Sequence, residues 1–172
     1  MSFLTRVLET VFIIAVALWV GAMMLLAVVV APGVFATMLS RQEAGNLMSH
    51  LFAGYYHMGA WCGLAALTAG GVQAYLGRYR WGTIRFWVTG LMVISTLYAG
   101  FVVTPHAQMI RMQLSSPGSE SLRASLQREF QRAHREAVAA NAVALLSGLV
   151  VLGMVGLAER RSGQKRPVAR LG

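Results

Sequence analysis

The sequence predicts an all-α fold: an integral membrane four-helix bundle arranged as two tandem helical hairpins. Three observations carry this prediction. Hydrophobic residues make up 56% of the 172 residues and charged residues only 12%, which is too apolar for a soluble domain of this size. The mean hydropathy is +0.58. Four stretches are also long enough, at about 20 mainly apolar residues each, to cross a hydrocarbon core of roughly 30 Å.

The four predicted spans cover residues 7–31, 51–76, 86–104 and 137–158. Lipid gives the backbone no hydrogen-bond partner, so apolar stretches of this length are expected to be helical. With their connections they form one predicted transmembrane domain, residues 1–158. Residues 159–172 are predicted to be a basic, disordered cytoplasmic tail that lies at anionic headgroups.

Two of the helices are predicted to begin well before their apolar parts. Ser40 and Glu43 have the spacing of a capping box, which satisfies free backbone N–H groups at a helix start. Pro117 and Gly118 predict a turn, and Ser119 can cap a helix in which apolar residues recur at helical spacing, namely Leu122, Leu126, Phe130 and Ala133. Residues 105–136 are therefore predicted to form a helical hairpin on the outer side of the membrane.

A short internal repeat supports the tandem arrangement. Residues 29–32 read VVAP and residues 102–105 read VVTP, and each proline is expected to remove one helix hydrogen bond and bend the chain. Small residues predict close helix packing within the membrane: Gly59, Gly63, Ala66 and Gly70 in the second span, and Ala137, Ala144 and Gly148 in the fourth. Asn141 lies in the same stripe of the fourth span and is predicted to hydrogen-bond to a neighbouring helix.

The charge distribution predicts the orientation. The formal net charge is +9, but the basic residues flank the spans instead of forming one face, so nucleic acid is not an expected partner. With the N-terminus inside, nine lysines and arginines fall on the cytoplasmic side and six outside, as the positive-inside rule favours. The prediction is a cell inner-membrane protein with both termini cytoplasmic. Its expected partners are the lipid bilayer, other membrane proteins or further copies of the chain.

No catalytic motif is recognisable. The sequence has no Asp, no glycine-rich phosphate loop and no serine–histidine–acid pattern, so no enzymatic activity is predicted. Glu9 is the carboxylate nearest to a span centre, and Arg6 one turn earlier predicts an interfacial ion pair instead of a proton relay. Cys62, the single cysteine, is interpreted as a small buried hydrophobe.

Histidines and methionines collect on the predicted outer side. Imidazole with thioether suits copper(I) and other soft metals, so a metal site is one hypothesis, formed by His57, His106, Met109, Met112 and His134. Two histidines on facing helices could instead hold a haem iron. The simpler interpretation is that amphipathic side chains gather at interfaces and that methionine fills gaps between helices. Lipid or small-molecule sites are a further alternative.

Several short motifs follow one another in a recognisable order: Trp19 with Gly21, Pro32 with Phe35, Ala44 with Gly45, Phe52 with Tyr55 and Tyr56, then Pro105, and finally Phe130 with His134 and Asn141. They resemble the transmembrane protein 205-like family, a bacterial domain of unknown function. The resemblance spans residues 7–158 and implies four transmembrane helices, with no established reaction. More distantly, the layout is similar to copper-resistance membrane domains and to a four-helix protoporphyrinogen oxidase. The first span lacks the histidine of that oxidase group.

Three functional hypotheses follow from the sequence. The first is a non-catalytic membrane protein that handles a soft metal such as copper at its outer face. The second is a haem-binding redox protein, and the third is an accessory subunit of a larger membrane complex.

Overall fold

The computed structural model describes residues 3–76, 80–114, 116 and 119–163, and this part of the chain is almost entirely helical, with no strand. Two of its segments are π-helical, with one extra residue in the turn. In chain order the elements are α1 (Phe3–Leu25), a first π-helical segment (Leu26–Val30), α2 (Ala31–Thr37), α3 (Arg41–Tyr75), α4 (Arg80–Leu97), a second π-helical segment (Tyr98–Val103), α5 (Thr104–Leu114) and α6 (Glu120–Gly163).

Three helical stretches are long and apolar enough to cross a membrane: Phe3–Thr37, Thr83–Leu114 and Glu120–Leu157. The other predicted span, residues 51–76, lies in α3, which has 35 residues but is not among the three. Its apolar residues are interrupted by glycines, tyrosines and a histidine, which lowers the hydropathy of every stretch long enough to span. Length and composition therefore support three membrane spans, and the membrane bundle of four helices remains a prediction.

One buried core joins side chains from α1, α3, α4 and α6. Its largest fully buried side chains are Trp19 and Phe12. A Cβ atom added at Gly63 would lie 3.2 Å from the Trp19 ring, and one at Gly70 would lie 3.2 Å from the Phe12 ring. The small residues of α3 therefore give space to the aromatic side chains of α1, which is the close packing that the sequence predicted.

A second, smaller core holds α5 against the first half of α6. It consists of Val103, Ile110, Leu126 and Ala133. Leu122 was predicted to belong to the same stripe, but it is exposed and takes no part in this core. We call this end of the molecule, with Pro32, Pro105 and α5, the proline end.

Serine caps fix the start of both long helices at the proline end. Ser40 Oγ accepts a hydrogen bond from the Gln42 backbone N–H at 3.2 Å, and α3 begins at the next residue. Ser119 Oγ accepts from the Leu122 N–H at 3.4 Å, and α6 begins at Glu120. Both predicted helix starts are thus confirmed. The predicted turn at Pro117 and Gly118 lies outside the described residues.

The two π-helical segments stand at corresponding points of the internal repeat, each ending just before its proline. The Ala31 N–H donates to the Leu26 carbonyl, five residues back. In the second segment the Thr104 N–H donates to the Ala99 carbonyl, also five residues back. The Thr104 hydroxyl donates to the same carbonyl at 2.7 Å. A widened π-helical turn therefore lies on the N-terminal side of each proline at which the sequence predicts a bend.

The far end of the molecule holds an ion pair between α1 and α4. Arg85 Nη1 donates to Glu9 Oε1 at 2.8 Å, and the guanidinium carbon lies 4.3 Å from the centre of the Phe12 ring. Glu9 therefore pairs with Arg85 of α4, and the predicted pairing of Glu9 with Arg6 is wrong. At the same end α6 continues as a helix to Gly163, beyond the predicted start of the tail at residue 159, and residues 164–172 lie outside the described residues.

Candidate ligand-binding cleft

An open cleft of about 620 Å³ lies at the proline end, between the first turns of α3 and the side of α5. The polar lining residues of α3 follow one another at intervals of four, three and one residues. The lining residues of α5 follow at intervals of three and one residues. Each set therefore lies on one face of its helix. The lining residues are Gln42, Asn46, Ser49, His50, Ala53, Gln108, Arg111 and Met112.

Arg111 connects the two walls. Its Nη2 donates to the Gln42 carbonyl oxygen at 3.2 Å, and its Nη1 lies 3.5 Å from Ser49 Oγ. The guanidinium rests against the backbone of α3 at Gly45, where an added Cβ would collide with Nη2. Ser49 is itself oriented by a 2.8 Å hydrogen bond to the Gly45 carbonyl. A permanent positive charge is therefore held in a defined position on the cleft wall.

The lining residues have the chemistry of a site for a polar or anionic molecule. They supply one guanidinium, three side-chain amides, a hydroxyl and an imidazole, and no carboxylate is among them. Guanidinium and amide N–H groups are donors that match carboxylate and phosphate oxygens. Among the lining residues, Met112 is the only thioether and Ala53 the only aliphatic side chain.

The predicted metal ligands on α5 are about half exposed or more. His106 Nε2 is 3.3 Å from Glu129 Oε1 of α6, with both side chains about half exposed. Met109 and Met112 are 52% and 66% exposed, and of these three only Met112 lines the cleft. Glu129 of α6 therefore pairs with a side chain of α5.

The other two predicted ligands lie on other helices. His57 Nδ1 is 2.8 Å from the Ala53 carbonyl, and its ring meets Phe101 edge-on at 6.0 Å. His134 stacks on Phe130 at 6.4 Å. It follows Glu129 by five residues, which is a rotation of about 140° around α6, so His134 and His106 face different directions.

Within the described part of the chain, no three His, Cys, Asp or Glu side chains are grouped so that they could hold a metal ion. The five predicted ligands are thus spread over α3, α5 and α6, namely His57, His106, Met109, Met112 and His134. A site that uses all five together remains a prediction.

Sequence reasoning missed most of the cleft. It singled out Met112, but it assigned no role to His50, Arg111, Ser49 or Gly45. One local signal was present: Gln42, Asn46, Ser49 and His50 place polar side chains on one face of α3 before its apolar part begins. This pattern does not predict which helix lies opposite that face of α3.

Buried polar contacts also link the long helices below the cleft. Trp19 Nε1 donates to the Tyr55 hydroxyl at 3.2 Å. Asn141 Nδ2 donates to the Tyr56 hydroxyl at 3.1 Å. The second contact confirms the prediction that Asn141 bonds to a neighbouring helix.

The fold and the apolar stretches define the class: this is a helical membrane protein with three helical stretches that could cross a membrane. The chain belongs to the family described as Domain of unknown function (DUF4149), whose model matches residues 14–116, more than half of its length. The matched part includes every residue of the cleft. The match does not name the transmembrane protein 205-like family, and neither the curated proteins nor the solved structures contain a match.

Proposed function

We propose that the chain is an inner-membrane protein in which α3 is a fourth transmembrane helix, with both termini in the cytoplasm. Two observations support the fourth span. With 35 residues, α3 is about 52 Å long, more than a membrane needs. It also packs extensively along both α1 and α4, which belong to two of the long apolar stretches, and a helix packed along two membrane helices shares their depth.

The function proposed for this membrane domain is the binding of a small anionic molecule in the cleft between α3 and α5. The observation that carries the proposal is Arg111, whose guanidinium is held by Gln42 and Ser49 on the cleft wall. A cation that is already positioned loses little side-chain entropy when it binds an anion. The amides of Asn46 and Gln108 and the imidazole of His50 extend the polar wall.

The proposed ligand is a molecule that carries a phosphate or carboxylate group together with further oxygen atoms that can form hydrogen bonds. A lipid headgroup and a soluble anion share this chemistry, and the cleft lies at the end of the molecule where the apolar stretches finish. The two sources are separable by experiment.

The first test uses purified full-length protein in detergent with inorganic phosphate and with phosphatidylglycerol as probes. Native mass spectrometry measures retained lipid, and calorimetry measures phosphate binding. Arg111→Gln is expected to weaken binding about 10- to 100-fold, because a charge-assisted hydrogen bond contributes about 1.5–3 kcal/mol. Arg123→Gln is the control, since Arg123 is an exposed cation of α6 that does not line the cleft. Equal binding by Arg111→Gln and the unmodified protein would refute the proposal.

A second pair of variants leaves every polar group of the cleft in place. Gly45→Ala is expected to weaken binding as Arg111→Gln does, because the new Cβ displaces the guanidinium. Gly54→Ala, on the same helix, puts its Cβ into open space and is expected to bind normally. Retention of lipid alone would assign the site to headgroups, and phosphate binding alone would assign it to a soluble anion.

A soft metal is a second candidate ligand, favoured by the fact that Met112 and His50 line the same cleft. Thioether and imidazole groups together suit copper(I). His106 and Met109 follow the same side of α5, so the metal would bind at the α5 edge of the cleft. His57 and His134 lie on α3 and α6, so in this proposal they would be ligands of a larger metal site that extends beyond the cleft.

Titration of the purified protein with copper(I) against a competing chelator tests the second candidate. The double variant Met109→Ala, Met112→Ala is expected to lose stoichiometric copper(I), while Met38→Ala, an exposed methionine of the same end, is expected to keep it. An unmodified protein that takes up no copper(I) would rule out the metal site. A Soret band in the same sample would support the haem alternative instead.

A further inference from the structure

Five polar or aromatic side chains from four helices meet in the interior, away from the cleft. We call them the polar belt: Trp19, Tyr55, Tyr56, Thr96 and Asn141. Trp19 bonds to Tyr55 and Asn141 bonds to Tyr56, and the two tyrosine rings lie 5.2 Å apart. Thr96 belongs to the same level, because a Cβ at Gly59 would lie 2.8 Å from Trp19 Nε1 and 3.5 Å from Thr96 Cγ2.

The belt contains polar atoms that no described residue satisfies. Thr96 is 1% exposed, and its hydroxyl has no hydrogen-bond partner in the described part of the chain. The same holds for Asn141 Oδ1. The hydroxyls of Tyr55 and Tyr56, both 5% exposed, accept a hydrogen bond each and donate none to the described residues. Buried polar groups are nearly always paired, so these atoms indicate a missing partner.

Other hydroxyls in this chain show that the Thr96 arrangement is unusual. Thr10, Thr37 and Thr68 each donate to a carbonyl four residues back, at 2.9–3.0 Å. This bond is the ordinary way in which a threonine in a helix satisfies itself. Thr89, two turns before Thr96 on the same face of α4, is also fully buried and has no partner among the described residues. The two hydroxyls of α4 thus point into the core.

The second π-helical segment borders the belt. It begins at Tyr98, two residues after Thr96, and its Gly100 lies against the Tyr56 ring, where a Cβ would be 2.5 Å from Cγ. π-Helical turns occur frequently at functional sites. Here the turn lets the backbone approach the ring that carries the Asn141 hydrogen bond.

We propose that the polar belt is a binding site for ordered water in the interior of the membrane domain. Water is the ligand because the belt offers three hydroxyl donors, from Tyr55, Tyr56 and Thr96, and one carbonyl acceptor, from Asn141. A water molecule accepts and donates hydrogen bonds and therefore complements both kinds of group. The site is independent of the anion cleft, so either proposal can fail without the other.

Radiolytic hydroxyl-radical labelling of the full-length protein in detergent tests this proposal, because a buried side chain is labelled only where water lies beside it. After correction for intrinsic reactivity, Tyr55 and Tyr56 are expected to be labelled several-fold faster than Phe12, a buried ring outside the belt. Rates equal to that of Phe12 would overturn the proposal, and this comparison needs no variant.

The variant Thr96→Val keeps the side-chain shape and removes the hydroxyl. It is expected to slow the labelling of Tyr56 several-fold and to lower the melting temperature, since bound water loses a partner. Thr68→Val is the matched control, because the Thr68 hydroxyl is satisfied by its own helix, and it is expected to leave Tyr56 labelling unchanged. Unchanged Tyr56 labelling in Thr96→Val would also overturn the proposal.

Discussion

At the scale of single residues, several charged and polar side chains find partners on other helices. Glu9 pairs with Arg85, which is 76 residues away in sequence, although Arg6 is one turn distant on its own helix. Arg85 is only 12% exposed and also stacks on Phe12. An ion pair is stronger where the surroundings exclude water, and the aromatic face adds to the attraction, so the distant partner is preferred.

The variant Glu9→Gln tests the strength of this ion pair. It leaves the Arg85 charge without its carboxylate, so we expect the free energy of unfolding to fall by about 1–2 kcal/mol, a value reduced for the partial exposure of Glu9. Thermal unfolding of the purified protein in detergent measures the effect. Glu136→Gln, at an exposed position of α6, is expected to change little. If both variants unfold at the same temperature, the ion pair contributes nothing measurable to the stability of the protein.

At the scale of elements, the widened turns before Pro32 and Pro105 give the two halves of the chain a common plan. Each half runs from a long helix through a π-helical segment and a short helix to a serine-capped long helix. Both final helices also carry a stacked aromatic pair four residues apart, Phe52 with Tyr56 and Phe130 with His134. The halves differ in the short helix, because α2 has 7 residues and α5 has 11.

The variant Gly100→Ala tests whether the second π-helical segment needs its close approach to Tyr56. The added Cβ would overlap that ring, and overpacking of a core costs about 1–3 kcal/mol. We expect a lower melting temperature in detergent. Gly90→Ala, in the same helix but with open space around the new Cβ, is expected to be neutral or slightly stabilising because alanine favours helix. The reverse order of stability would contradict this account of the segment.

At the scale of the whole molecule, the longer α5 produces the asymmetry on which the proposed function rests. Because α5 is long enough to pack on α6 through its own small core, its opposite side faces α3 and completes the cleft. The shorter α2 contributes no residue to that cleft. A tandem repeat of similar halves therefore has one binding surface instead of two.

Cysteine mapping in whole cells tests the proposed four crossings and their direction. In a Cys62→Ala background, Ser40→Cys and Ser116→Cys at the proline end are expected to react with an impermeant maleimide. Thr83→Cys and Ser162→Cys, at the other end, are expected to react only after permeabilisation. Labelling of Ser40→Cys and Thr83→Cys from the same side would show that α3 does not cross the membrane. Reversed accessibility of all four would reverse the assigned direction.

The sequence by itself determined that the chain is helical and where α3 and α6 begin. Helix starts depend on residues within one turn, as at Ser40 and Ser119, and a proline removes a backbone N–H donor locally. Hydropathy over a continuous stretch likewise identified the three long apolar helices. These signals could be predicted because each is contained in a few neighbouring residues.

Only the tertiary structure decided which faces meet. Arg111 reaches Gln42 and Ser49 across 69 and 62 residues of sequence, and its position requires that Gly45 lack a side chain. The predicted metal ligands are spread over α3, α5 and α6, and His106 and His134 face different directions around their helices. Helical spacing predicts which residues share one face, but the packing of the core sets the rotation of each helix, and that rotation determines which side chains form a site.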